Sequence, residues 1–273
     1  MFDTRNPAQW KRANPLPSNG MLYETDVLYR GYTLGELLVV GTSDLSIQQK
    51  VEIMAQGMIR NDGKDVYDLT FYDFAYVGLL RKLGTLGDMA TYTMALECDV
   101  CREKMTRSLR GDHFAFSDLE TKFPFKEKLG STTTTVSPIT VRRYLDILPE
   151  TDFHILAASM GMSFEQLLTS EHITEIAHIE QLLCHTLEPI DFKCDYCGNK
   201  RSVALELLSN RPECSLVLPE LNQAAAKSLS ESLYGMSKHF STTPNEFYPM
   251  QFSDYRNMER LAAKALEASR QKK

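Results

Sequence analysis

Cys98-Asp99-Val100-Cys101 and Cys194-Asp195-Tyr196-Cys197 are the two stretches on which the reading of this chain turns. Each is a Cys-x-x-Cys clip at the end of a strand-like run. Each is followed by a basic, turn-prone segment, Arg102-Glu103-Lys104 after the first and Gly198-Asn199-Lys200 after the second. Two clips supply four thiolates, the set that a closed tetrahedral zinc site requires. Roughly ninety residues separate them, far more than the ~15–20 of a compact ribbon. If both clips grip one ion, everything between them is an insertion on a zinc ribbon.

A redox dithiol is the competing chemistry, but it belongs at a helix N-terminus in a βαβ setting, which neither clip has. Disulfides suit an oxidising compartment, and Met1-Phe2-Asp3-Thr4-Arg5 shows no secretory pattern. Unrelated buried thiols are the bland alternative. Cys184 falls in an apolar helical run and reads as a small core residue, and Cys214 is left over. With Cys98, Cys101, Cys194 and Cys197 as ligands, a zinc ion is saturated and keeps no open position for catalysis. The expected cofactor is therefore one structural Zn2+.

A chain of 273 residues that is 43% hydrophobic can bury a sizeable core and make more than one module. Its net charge of −6 argues against broad binding to nucleic acid or to an anionic membrane. No apolar run approaches the ~20 residues needed to span a bilayer. The expectation is a soluble intracellular protein, or one assembled inside a cell.

Periodicity outlines an α+β fold: a small mixed β core stapled by a split four-cysteine zinc ribbon, with a helical insertion and a helical C-terminal region. Residues 1–15 are polar and read as an arm, with Trp10 as a docking anchor or as a tail folded back on its own domain. Residues 16–116 read as the core with the first clip. Within it, a turn at Leu16 to Gly20 leads to strands at Leu28-Tyr29-Arg30 and Leu37 to Val40. A helix from Ser43-Asp44 carries Ile47, Val51, Met54, Met58 and Ile59 on one face. Asp68-Leu69-Thr70 opens another, stopped by Gly84 and Gly87, and Tyr92, Met94 and Leu96 alternate into the first clip. A return strand runs from Met105 to Leu109.

Residues 117–187 read as the mainly helical insertion. Phe123-Pro124-Phe125, like Phe114-Ala115-Phe116, is an edge strand or loop. Thr132 to Thr135 is extended. Ser137-Pro138 resembles an N-cap with proline at the first helical position, and Ser163 to Gln166 has capping-box spacing. Ile173, Ile176, Ile179, Leu182 and Leu183 form the apolar side of a helix leading to the second clip. Residues 188–212 complete the ribbon, with a strand from Val203 to Leu208. Residues 213–273 are helical, with a stripe of Ala225, Leu229, Leu233, Met236 and Phe240. A Pro-rich elbow and a last helix capped by Ser253 carry Phe247, Tyr248, Phe252, Tyr255 and Met258, which are candidate contacts for a neighbouring subunit.

The catalytic motifs sought do not assemble. No Gly-x-Ser-x-Gly is present. Gly57 to Lys64 has one residue too many for a phosphate loop, and Asp65 stands where Ser or Thr should meet Mg2+. His172 and His178 are six apart rather than four, and His113, His154, His185 and His239 are scattered. Asp68 and Asp73 are explained first as cap and dipole partner of a helix. The expectation is a protein that is not an enzyme and takes no small-molecule substrate.

Leu16-Pro17-Ser18-Asn19-Gly20-Met21-Leu22-Tyr23 resembles the opening of the baseplate hub and hub-assembly proteins of contractile-tailed bacteriophages. Asp68-Leu69-Thr70-x-x-Asp73, Leu79-Leu80-Arg81 and the first clip follow in the family's order. The segment from Met236 to Met250 and the final helix resemble the family's ending. The likeness is clearest over residues 16–101, whereas the long insertion and the extended C-terminus depart from it. The resemblance implies a structural or assembly component of a tail baseplate, at the hub or inner ring. Its partners would be other baseplate and tail proteins, and it would be assembled in the host cytoplasm into the virion. The alternative is a zinc-ribbon adaptor whose Arg102, Lys104, Lys200 and Arg201 meet nucleic-acid phosphates. The acidic balance and the lack of interleaved aromatics count against it.

Overall fold

A computed structural model describes residues 10–13, 15–18, 22–42, 45–87, 91–110, 121–148, 152–183, 187–205 and 223–271. Phe114 to Phe116, Asn19-Gly20, Ser43-Asp44, Pro149, Cys184 and Cys214 lie outside those residues.

The fold is α+β, and its strands form small sheets. Every pairing among the described residues is antiparallel. Strands β1 (Lys11–Ala13), β2 (Val27–Tyr29) and β3 (Met58–Arg60) form one sheet in that order. Among the described residues, three hairpins make up the rest: β4 (Thr91–Glu97) with β5 (Lys104–Arg110), β6 (Phe125–Leu129) with β7 (Thr132–Val136), and β8 (Leu187–Lys193) with β9 (Lys200–Leu205). The supposed arm is thus partly built into the body. Residues 11–13 are an edge strand, Ala13 and Leu16 are buried, and Trp10 beside them is half-buried.

Leu37 to Val40 is not a strand. It lies in α1 (Leu34–Thr42), which Thr33 and Glu36 start reciprocally. The Thr33 hydroxyl accepts the Glu36 amide at 3.2 Å, and the Glu36 carboxylate accepts the Thr33 amide at 2.7 Å. That capping box outweighs the β-branched pair Val39-Val40. Helix α2 (Ile47–Ala55) starts at a second capping box, Ser46 with Gln49, rather than at Ser43-Asp44. It ends before Met58 and Ile59, which instead pair with Tyr29 and Leu28.

Helix α3 (Phe71–Leu86) runs through the middle of the larger core, capped by Thr70 and closed at Gly87, which takes φ +54°. Gly84 does not stop it. Arg81 of α3 is fully buried and reaches back to the C-terminus of α2, donating to the carbonyls of Ile53 (2.9 Å) and Met54, and to that of Arg30 (2.9 Å). The last carbonyls of a helix have no partner within it, so a side chain from a second helix supplies what α2 lacks. Gly57 must be glycine for this, because a Cβ there would overlap the Arg81 guanidinium.

The stretch 117–187 contributes to two cores. Hairpin β6–β7 with α5 (Asp152–Ser159), α6 (Phe164–Leu168) and α7 (Ile173–Leu183) encloses a small core of Phe123, Leu129, Val136, Leu156, Met160, Leu167, Ile179 and Leu183. Between them, residues 137–148 return to the larger core. Ser137-Pro138 is not a helix start, because the Ser137 amide goes to the Ser159 carbonyl and Thr140 bridges Thr70. Helix α4 (Val141–Ile147) begins after the Thr140 cap, and Tyr144 stacks on Phe71 with centroids 3.8 Å apart. The Ser163–Gln166 capping box starts α6 as expected.

Helix α8 (Gln223–His239) buries Ala226, Leu229, Leu233 and Met236. Ala225 and Phe240, expected on that stripe, are exposed. Helix α9 (Phe252–Gln271) follows a short 3-10 turn at Pro244–Glu246, and Phe252 rather than Ser253 opens it. No helix among the described residues is long and apolar enough to cross a membrane.

Candidate metal centre

Hairpins β4–β5 and β8–β9 carry the two clips at their tips, and each clip is folded in the same way. The first cysteine's amide donates to a carbonyl five residues on, Cys98 to Glu103 (3.0 Å) and Cys194 to Asn199 (2.8 Å). That cysteine's carbonyl then accepts the amide four residues on, from Arg102 (2.9 Å) and from Gly198 (3.0 Å). This tight turn requires the residue after the second cysteine to take positive φ, +73° at Gly198 and +60° at Arg102. Glycine adopts that conformation freely, whereas at Arg102 a side chain is held in it against its preference.

The two tips meet. Cys98 Sγ lies 3.6 Å from Cys197 Sγ, and Cys101 Sγ lies 3.6 Å from Cys194 Sγ. All four sulfurs lie within 4.8 Å of one another. A tetrahedral ion with bonds of about 2.3 Å to sulfur sets neighbouring sulfurs about 3.8 Å apart. The cluster therefore has the size and donor set to hold one metal ion. It is the one such group of three or more ligating side chains among the described residues.

The local electrostatics favour a cation there. Amides of Cys101 and Val100 donate to the Cys98 sulfur and bring its thiol down to about 6. The Glu103 amide acts likewise on Cys101, but loss of solvent and the neighbouring sulfurs outweigh it and push that thiol up to about 12. Cys197 is also raised, against the lowering effect of the Asn199 amide. One thiolate forms readily and the next are resisted by it, so four together need a divalent cation to offset their charge.

Two ion pairs surround the cluster that sequence reasoning missed. The Arg107 guanidinium grips both carboxylate oxygens of Asp195 and the Lys193 carbonyl. Its bonds hold the Asp195 carboxyl below its ordinary range, while Asp195 and then the Cys194 sulfur raise Arg107. Arg201 donates to Asp99 (3.1 Å) and to the Glu97 carbonyl (2.7 Å). The available signal was the aspartate at the second position of both clips. Of the cations considered for phosphate, Arg201 is thus engaged by Asp99, and Arg102 lies 3.9 Å from Glu97.

The aromatic candidates for partner contact are not a free surface. Phe247, Phe252 and Tyr255 are buried in the larger core, and Met258 packs against it. The reason is backbone pairing: the amides of Leu34 and Gly35 donate to the carbonyls of Met250 and Tyr248, and Phe252 donates to Tyr32. Tyr248, 38% exposed, lies over Gly35. Beyond Ala262 the remaining described side chains of α9 are all exposed, including Leu266, and Leu261 just before them is exposed as well. Among the histidines, His154 stacks on Phe164 and His172 covers Gly130.

Comparison of the chain with protein-family models, curated proteins and solved structures gives no match. The site is defined by its own geometry: a four-sulfur cluster that joins two hairpins far apart in sequence.

Proposed function

We propose that this chain is a non-enzymatic scaffold, stapled by one structural Zn2+, that serves as a subunit or assembly factor of a contractile-tail baseplate at the hub or inner ring. The four-sulfur cluster carries the structural half of this reading. Four thiolates fill a tetrahedral zinc and leave no position for a substrate, and an all-thiolate tetrahedral set favours zinc or iron over harder cations. The baseplate half rests on the resemblance of residues 16–101.

The residues that carry that resemblance also meet in space. The Ser18 amide donates to Asp73 at 2.9 Å, and the Tyr23 hydroxyl donates to the same carboxylate, beside the Thr70 cap of α3. Such a motif is a folding device, which suits a scaffold family. The exposed end of α9, with Leu261 and Leu266, offers neighbouring tail proteins a surface. In this reading the protein works in the virion tail after assembly in the host cytoplasm.

Co-expression with hub and inner-ring proteins of the same phage, read by native mass spectrometry, tests the proposal. A stoichiometric complex with one zinc per copy of this chain is expected. A chain that stays alone in every pairing would overturn the baseplate assignment, and one that purifies without metal would overturn the staple. No mobility shift of DNA or RNA is expected at low salt, since Asp99 already engages the Arg201 guanidinium.

A further inference from the structure

Each clip is held from the opposite hairpin in the same way. Asp99 and Asp195 each follow the first cysteine of their clip, and Glu97 and Lys193 each precede it. Arg107 of β5 binds the carboxylate of Asp195 and the carbonyl of Lys193. Arg201 of β9 binds the carboxylate of Asp99 and the carbonyl of Glu97. Each guanidinium therefore straddles the first cysteine of the other clip, Cys194 or Cys98. The sulfur contacts cross over likewise, Cys98 to Cys197 and Cys101 to Cys194.

We propose that Arg107 and Arg201 are positioning residues for the metal: they hold the two hairpins in the orientation that brings four sulfurs together, and so set how tightly the ion is bound. The proposal rests on the four cysteines sharing one ion. When a binding-competent arrangement is only partly populated, apparent affinity falls by that fraction. Here the competent state needs two clips, separated by positions 102–193, to meet at the tips of their hairpins. A planar guanidinium that bonds a carboxylate and an adjacent carbonyl fixes an angle as well as a distance. A lysine ammonium keeps the charge and loses that fork.

Exposure separates this role from general stability. Asp195 and Asp99 are 60% and 67% exposed, and ion pairs so open to water add little to folding. Their removal should appear in metal affinity while the metal-free chain melts almost as before.

The test uses the full-length chain, with zinc affinity measured by competition against a chelating dye. Variants are Arg107→Met, Arg201→Met, Arg107→Lys and the exchange Arg107→Asp with Asp195→Arg. Each methionine variant is expected to bind zinc about ten- to a hundredfold more weakly, the range for losing an outer partner of a metal site. Arg107→Lys should fall between it and wild type, and the charge exchange should recover most of the loss. Cobalt(II) at saturation should keep the absorption of a tetrahedral four-thiolate site in every variant, since no ligand is changed. Unaltered zinc affinity in both methionine variants would overturn the proposal, as would a loss that the exchange does not restore. Should a methionine variant lose its helical circular dichroism, Asp99→Asn and Asp195→Asn test the same contacts with a smaller change, and unaltered affinity there is equally decisive. A wild-type chain that binds no metal would instead defeat the zinc reading itself.

Discussion

Replacing Gly57 by alanine should cost about as much stability as removing the Arg81 guanidinium, although only a methyl group is added. The new Cβ would occupy the place of the guanidinium carbon and of the nitrogens Nε and Nη2. Arg81 would have to withdraw from the carbonyls of Arg30, Ile53 and Met54. Arg81 would also give up its 3.2 Å bond to the Glu36 carboxylate, and because Glu36 keeps its two bonds from Arg30, the loss falls on the three carbonyls and on the buried guanidinium. A buried polar group left without a partner costs about 1–3 kcal/mol, and breaking a buried charged contact costs about 3–5 kcal/mol. Partial relaxation puts the expected loss near 4 kcal/mol, a large share of a typical domain's ~5–15 kcal/mol. Urea unfolding of Gly57→Ala, Arg81→Met and the double variant, followed by circular dichroism, measures it. Each single change should cost about 4 kcal/mol. The double should cost little more than Arg81→Met alone, because the methyl then fills vacated space and the same bonds are already gone. Additive costs, agreeing within ~0.5 kcal/mol, would refute the account, as would a Gly57→Ala chain as stable as wild type.

Two further outcomes are expected. Burial and the adjacent Asp73 carboxylate raise the Tyr23 phenol above its ordinary value of 10.0. The unfolded phenol therefore ionises first, so its contribution is complete below about pH 10 and declines as pH rises further. Tyr23→Phe should be less stable at neutral pH and show a shallower decline between about pH 10 and 11.5, read by denaturant midpoints. Cys194→Ser should lose the ion and, with it, the closure of a loop over positions 102–193, 92 residues. Cross-linking a loop of that size is worth at most about 4–5 kcal/mol, and the return of Ile139 and Tyr144 to the larger core lowers this. Calorimetry should show the variant melting early and indifferent to chelator, while wild type falls to meet it. An unchanged response to chelator would mean that the first clip holds metal alone.

The clips were legible because Cys-x-x-Cys at a hairpin tip is a local pattern, and two matched copies suggest one site. Local caps were legible too, at Thr70 and at Ser163 with Gln166. Thr33-Leu34-Gly35-Glu36 has the same capping-box spacing, and it starts α1 in spite of the β-branched pair Val39-Val40. What sequence could not show was any partner that arrives from elsewhere in the fold. Met58 and Ile59 continue a helical period on paper, yet α2 stops because Arg81 takes its last carbonyls and β2 takes the next residues. Phe247, Phe252 and Tyr255 look like a docking surface until the elbow is seen pairing with residues 32–35. Arg107 and Arg201 could be linked to the clips only once the hairpins were placed tip to tip.

The crossing of the two clips has a topological consequence. Positions 102–193 begin and end at one four-sulfur point, so with an ion bound there a single protease cut among them would leave both fragments gripping that ion. One fragment would hold Cys98 and Cys101, the other Cys194 and Cys197. A nicked population should then travel as one species on a native gel and as two once denatured. The ion would be acting as a rivet across a broken chain, and damage to the middle segment would not by itself release either half from an assembly that held the other.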